Sequence, residues 1–244
     1  MMDYLSNSGA GGGARLGLIV LATDETLEFE ARSTLAGRDV QLLHSRIPMQ
    51  SAITPATLAQ MDADMPIAAA LLPAGLDVIG YGCTSGATVI GQARVAEQIR
   101  SEHPSAAVTD PISAVIAAIG HLGAHRIGMV TPYVASVTAP MRALLAHNGI
   151  ETLAEVSFAE GDDRRVARID PASTRAALLE AAKTPGIDAL FASCTNLQTY
   201  AIIDEVEALS GLPVVTSNQA LIWHMLRLAN VDASGWGPGK LFEQ

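Results

Sequence analysis

Two segments of the chain repeat at one offset, and that repeat constrains the fold more than any other feature. Arg15-Leu-Gly-Leu-Ile-Val20 resembles Arg126-Ile-Gly-Met-Val-Thr131. Asp77-Val-Ile-Gly-Tyr-Gly-Cys-Thr84 likewise resembles Asp188-Ala-Leu-Phe-Ala-Ser-Cys-Thr195. Both pairs stand 111 positions apart (15 to 126, 77 to 188). Two separate segments sharing one offset imply two copies of one unit, facing each other about a pseudo-twofold axis.

Each unit alternates short β-branched runs with longer helical stretches. Strands are expected at Leu16–Leu21, Val40–His44, Asp77–Tyr81, Ala107–Thr109, Ile127–Thr131, Glu151–Ser157, Asp188–Ala192 and Val214–Thr216. Helices are expected near Glu25–Leu35, Pro55–Leu72, Ser85–Ile99, Ser113–Leu122, Ser136–Asn148, Ala172–Lys183, Gln198–Leu209 and Gln219–Leu228. Apolar strands separated by helices read as βαβ units, with a parallel sheet covered on both faces. The expected fold is therefore α/β. It has two pseudo-symmetric halves, 15–122 and 123–244, and the C-terminal segment packs back on the first half. Residues 1–14, ending in a glycine run, read as a mobile tail.

Composition narrows the function. Of 244 residues, 49% are hydrophobic, enough for a sizeable core, and the net charge is −10. That acidity argues against a nucleic-acid surface, which needs clustered Lys and Arg. The longest apolar stretch, 67–82, is interrupted by Pro73 and Asp77 and is too short to span a bilayer. No basic-then-apolar leader is visible at the N-terminus. The expectation is a soluble cytoplasmic protein, its two cysteines reduced.

Those cysteines carry the chemistry. Cys83 lies in Tyr81-Gly-Cys-Thr-Ser-Gly86 and Cys194 in Ala192-Ser-Cys-Thr-Asn196, equivalent positions under the repeat. Each is expected at a strand-to-helix turn, where backbone N–H groups and the helix dipole stabilise a thiolate. Open parallel sheets bind ligands beyond the carboxyl ends of their strands, so both thiols should meet in one cleft. The amides of Thr84, Ser85, Thr195 and Asn196 would then face an oxyanion or carboxylate. Neither cysteine belongs to a close Cys or His cluster, so no metal is expected. Two opposed thiols can move a proton off one face of a carbon and onto the other. Alternatively, one thiolate can add to an activated double bond and leave after rotation. Neither route needs a cofactor. The competing readings are a binding module that lost its chemistry and a redox-sensing pair.

Other candidates look structural. His121, His125 and His147 fall near helix ends, and His224 beside Trp223 reads as a core or interface residue. Arg164, Arg165 and Arg168 sit between acids and read as a solvated face. The glycines lack the spacing of a nucleotide fingerprint. Thr23 reads chiefly as a helix cap, and Asp24 as either a cap or a ligand-facing group.

The motifs together resemble the Asp/Glu racemase superfamily, in its maleate cis–trans isomerase and arylmalonate decarboxylase branch. The likeness covers roughly Arg15 to Phe242. It rests on the two cysteine motifs, Thr-Pro-Tyr at 131–133, Val-Ala-Arg-Ile-Asp at 166–170 and Gly235-Trp-Gly. It implies two Rossmann-like (flavodoxin-like) halves, an active-site cleft between them, cofactor-free chemistry and a homo-oligomer, a dimer or tetramer. Decarboxylases of this branch keep only the second cysteine, so retention of both points to isomerase or racemase chemistry. By resemblance Cys83 is the nucleophile, Cys194 handles a proton and Tyr133 hydrogen-bonds a substrate carboxylate. Two departures matter. Maleate isomerases place carboxylate-binding asparagines where this chain has Asp24, in Ala22-Thr-Asp-Glu-Thr26, and Asp163. An ionised Asp only accepts hydrogen bonds and repels a carboxylate, but it attracts an ammonium group. The expected substrate is a small carboxylate carrying positive charge. The same string resembles the ectoine-utilisation protein A subgroup, which implies an amino-acid-type intermediate of ectoine or hydroxyectoine breakdown.

Overall fold

Eight runs rich in Val, Ile, Leu and Ala pair as parallel strands, as apolar segments flanked by helices should. The computed structural model describes residues 2–6 and 12–243. The chain runs β1 (Ala14–Leu21), α1 (Leu27–Leu35), β2 (Val40–Ile47), α2 (Pro55–Ala70), β3 (Val78–Gly82), α3 (Thr84–Ile90), α4 (Gln92–Arg100) and β4 (Ala107–Thr109). It continues through α5 (Pro111–His121), β5 (Arg126–Thr131), α6 (Ala135–His147), β6 (Glu151–Ser157), α7 (Asp163–Val166) and α8 (Pro171–Ala181). β7 (Ala189–Ala192), a 3₁₀ turn at Tyr200–Ile202, α9 (Ile203–Ser210), β8 (Val214–Thr216) and α10 (Ser217–Leu228) complete the two units.

The strands form two four-stranded sheets, ordered β2-β1-β3-β4 and β6-β5-β7-β8. The orders are identical once β5, β6, β7 and β8 are matched to β1, β2, β3 and β4, which is what a duplicated unit requires. Registers correspond too: Leu16 pairs with Val78, and Ile127 with Ala189. The inner strands β1, β3, β5 and β7 are almost fully buried, so helices cover both of their faces.

The last helix does not stay with its own sheet. α10 packs on α5 and against α1 and β3, returning the chain to the first half. Gly80 permits that approach, since a Cβ there would lie 2.6 Å from Met225 Sδ on α10. One continuous core therefore joins both halves, from Leu16 through Met129 and Phe191 to Met225. A smaller cluster around Leu178, Ile203 and Val206 covers the outer face of the second sheet. Among the described residues no helix is long and apolar enough to cross a membrane.

Four details depart from the sequence expectation. The helix expected over 85–99 is broken by Gly91 at φ +92°, a conformation glycine adopts without a Cβ clash. The helix expected from Gln198 begins later, as the 3₁₀ turn, and α7 was not anticipated at all. Of the expected tail, residues 1 and 7–11 lie outside the described residues; Gly12 already donates to Asp39 and Ala14 opens β1.

Candidate active site

Cys83 and Cys194 follow the carboxyl ends of β3 and β7, equivalent positions in the two sheets, and both line one small enclosed pocket. Ser85, Tyr133, Asp163 and Thr195 share that lining, closed on one side by Met49, Ile53 and Leu58. The cover comes from a crossing between the halves. The backbone N–H of Ile53 donates to Gly161 (2.8 Å) and that of Asp163 donates to Ser51 (2.8 Å). Both thiols are free, and each is only 3% exposed.

The two turns differ in detail. Cys83 caps α3, its sulfur accepting the Gly86 N–H at 3.2 Å, and stands 3.7 Å from the Ser85 hydroxyl. Cys194 is followed by an irregular turn rather than a helix, its sulfur accepting the Asn196 N–H at 3.3 Å. Its φ of +145° is a region that side chains other than glycine rarely occupy, a strain of about 1–3 kcal/mol. Observed strain of this kind concentrates at working sites.

The expected stabilisation of a resting thiolate does not materialise. Burial pushes the Cys83 thiol up to about 12, outweighing the Gly86 and Ser85 hydrogen bonds. Burial, and then the field of Asp163, also raise Cys194 well above the usual thiol range. Desolvation disfavours the charged form more than two hydrogen bonds favour it. The free pocket therefore holds two thiols, and the Tyr133 hydroxyl interacts with Cys194 and with Ser85 beside Cys83.

The remaining candidates divide. Thr195 lines the pocket while its hydroxyl donates to Gly82 of the other half (3.3 Å). Asp163 lines it too, accepting from Thr23 and from the Asn196 side chain (3.2 Å). Asp24, Thr84 and Asn196 stand behind the lining. Asp24 Oδ1 accepts the Thr26 and Leu27 N–H groups (2.9 and 2.8 Å), so Asp24 rather than Thr23 holds the turn into α1, whose N-cap position is Thr26. The Thr23 hydroxyl instead reaches Asp163. Asp24 Oδ2 is buried without a partner, and desolvation lifts the group to about 6. Asn196 clamps the halves: its Oδ1 accepts Glu25 N–H (2.9 Å) and its Nδ2 donates to the Asp163 carbonyl (3.0 Å). The Thr84 hydroxyl donates to Ser217 Oγ at 2.8 Å.

The family model for arylmalonate decarboxylase matches residues 58–242, spanning both cysteine turns. The chain belongs to that family. Its members include proteins of more than one named activity. The maleate isomerase of Pseudomonas putida KT2440 is 27% identical over 241 residues, covering 93% of this chain and 96% of that one. The crystal structure of the maleate isomerase Iso from Pseudomonas putida S16 superposes with a TM-score of 0.84 at 27% identity, covering 94% and 98% of the two chains. A Nocardia farcinica maleate cis–trans isomerase variant, solved with a covalently bound succinylcysteine intermediate, gives 0.87 at 24% identity over 96% and 99%. That last likeness bears on the fold.

Sequence reasoning missed Ser217. Its Oγ accepts from both Thr84 and the Cys194 backbone N–H (3.0 Å), tying the two cysteine turns to the start of α10. The available signal was the Thr216-Ser-Asn-Gln219 capping box at the carboxyl end of β8. The residues read as structural behave so. His125 and His147 are exposed, and His224 is half-buried on Thr109. Arg165 and Arg168 form surface ion pairs with Glu160 and Glu25.

Proposed function

We propose that this chain is a cofactor-independent isomerase, a racemase or epimerase using Cys83 and Cys194 on a small carboxylate that also carries an ammonium group. One observation carries the reading: two equivalent thiols share a pocket whose only charged wall residue, among the described residues, is Asp163, with Asp24 behind it. Net negative field at both sulfurs favours a substrate bearing positive charge.

In this mechanism the substrate carboxylate meets the Tyr133 hydroxyl and the turns at Ser85 and Thr195, which line the pocket, while its ammonium group faces Asp163. Thr84 and Asn196, behind the lining, hold those turns in place rather than meeting the substrate. With both thiols protonated in the free pocket, one proton must leave to solvent before turnover. A cation beside Asp163 eases that loss, whereas a dianion opposes it. The thiolate then takes the Cα proton from one face, the enolate-like charge rests on the carboxylate, and the opposite thiol returns a proton to the other face. Within that class we propose an amino-acid-type intermediate of ectoine or hydroxyectoine breakdown, on the strength of Ala22-Thr-Asp-Glu-Thr26. We also propose a homo-oligomer, as the sequence resemblance implies, and a cytoplasmic location, as the composition leads us to expect.

A second reading, cis–trans isomerisation of maleate, draws support from the relatives named maleate isomerase. There a thiolate adds to the double bond, the single bond rotates and the thiolate leaves. The test is turnover of maleate against single enantiomers of aspartate, glutamate, diaminobutyrate and its N-acetyl forms, followed by absorbance and chiral chromatography. Racemisation of diaminobutyrate or an acetylated form supports the leading reading. Fumarate from maleate without amino-acid turnover overturns it in favour of the second.

A further inference from the structure

The mechanism leaves the buried carboxylate of Glu30 unused. Glu30 on α1 is 3% exposed, and no Lys, Arg or His pairs with it among the described residues. Its Oε1 accepts the backbone N–H groups of Thr199 (2.6 Å) and Tyr200 (2.9 Å). Its Oε2 accepts from Asn218 Nδ2 at 2.7 Å and from the Thr199 hydroxyl at 3.3 Å. Asn218 Nδ2 also donates to the Thr195 carbonyl at 2.8 Å, while its Oδ1 is buried with no partner. Every bond to the Glu30 carboxylate thus comes from the segment that follows Cys194 or from the first turn of α10.

A neutral glutamine would avoid burying an uncompensated charge, yet it could not accept from all these donors. Glutamine has one acceptor oxygen, and its amide would aim a donor at Asn218 Nδ2. The ionised carboxylate is what fits this donor set. We infer that Glu30 and Asn218 are positioning residues for Cys194, the ionised carboxylate holding the Thr195–Tyr200 segment and so keeping the strained Cys194 turn in its reactive arrangement; this rests on the two-cysteine reaction proposed above.

The arrangement is sensitive to one proton. Once protonated, Oε2 carries an O–H that needs an acceptor and is a weaker acceptor for Nδ2, and the orphan Oδ1 becomes the natural acceptor for that proton once the Asn218 amide turns over. That rotation withdraws the donor from the Thr195 carbonyl and frees the Cys194 turn. Burial raises the Glu30 carboxyl to about 7, which places the change within the working range. The titratable group facing it from the 3₁₀ turn is Tyr200, raised by burial and by Glu30 itself and therefore neutral throughout. Charged neighbours on the adjoining elements are engaged elsewhere. Glu25 pairs with Arg168, Glu28 with Arg46 and Glu205 with Arg175. Asp204 and Glu207 accept from Gly239 and Lys240. On α10, His224 bonds Thr109 and Arg227 lies over Trp223.

The test combines Glu30→Gln and Asn218→Ala in the full chain with two readouts. Backbone hydrogen exchange across residues 194–202 at pH 8 needs no substrate. Both variants should exchange there at least about tenfold faster than wild type, with the sheets unchanged. Wild type, corrected for intrinsic rates, should approach the Glu30→Gln rate below pH 7. In turnover, Glu30→Gln should lower kcat by roughly ten- to a hundredfold, leave KM within about twofold and remove the acid limb near pH 7. Unchanged exchange in Asn218→Ala overturns the inference, even if Glu30→Gln fails to fold. Turnover absent from wild type on every substrate, with the exchange effect present, would instead fault the proposed reaction and leave the positioning role intact.

Discussion

Replacing Asp24 by Asn should stabilise this protein more at pH 8 than at pH 5, because the carboxylate is buried against its own interest. Asp24 is 2% exposed, and its Oδ2 has no partner. Oδ1 already accepts two backbone N–H groups, which an amide oxygen can also do. Desolvation lifts the group from 3.8 to about 6. At 1.36 kcal/mol per decade, the ionised form costs the folded state about 3 kcal/mol. A raised carboxyl contributes stability that is complete below its unfolded value and lost as pH rises through its folded value. Roughly half of that loss, ~1.4 kcal/mol, develops between pH 5 and pH 8. At about 2–4 °C per kcal/mol for a chain of this size, the Tm gap between Asp24→Asn and wild type should widen by roughly 3–6 °C over that interval. Differential scanning calorimetry of both proteins across the range measures it, and subtracting wild type cancels the contribution of Glu30. A gap that stays constant or narrows with rising pH would refute the reasoning, since it would mean that Asp24 carries no desolvation penalty.

Three further outcomes follow from the site geometry. At position 194, where φ is +145°, a Gly variant should be more stable than an Ala variant, reversing the usual order, by about 1 kcal/mol in urea unfolding. Ser217→Ala leaves the Cys194 N–H and the Thr84 hydroxyl without their shared acceptor; it should cost about 1–3 kcal/mol of stability and lower kcat. Asp163→Asn removes the charged wall, and should weaken binding of an ammonium-bearing substrate at least about tenfold in KM while easing entry of a second carboxylate.

What the sequence disclosed was set by periodicity. All eight strands are found where apolar, β-branched runs stand, and the helices fall between them, because both signals are local. The break at Gly91 was less visible, since glycine is tolerated in many helices and only the required left-handed turn decides. The cysteine pair was legible because duplication places both motifs after equivalent strands. Their protonation was not. The thiolate expectation came from local N–H donors, whereas burial, a property of the whole fold, settles the balance. Thr23 and Asp24 show the same limit: either could cap α1 by residue type, and only the approach of Asp163 from the other half drew the Thr23 hydroxyl away. Ser217 and Glu30 act across more than 100 residues of chain on the Cys194 segment or on Thr84, and no local pattern announces such partners.

The most direct test of the central claim is proton NMR in D₂O of wild type, Cys83→Ser and Cys194→Ser with the amino-acid and maleate panel. The account predicts loss of the α-proton signal from a chiral ammonium carboxylate with wild type, and no turnover with either variant although both remain folded. Full activity in either serine variant would contradict it.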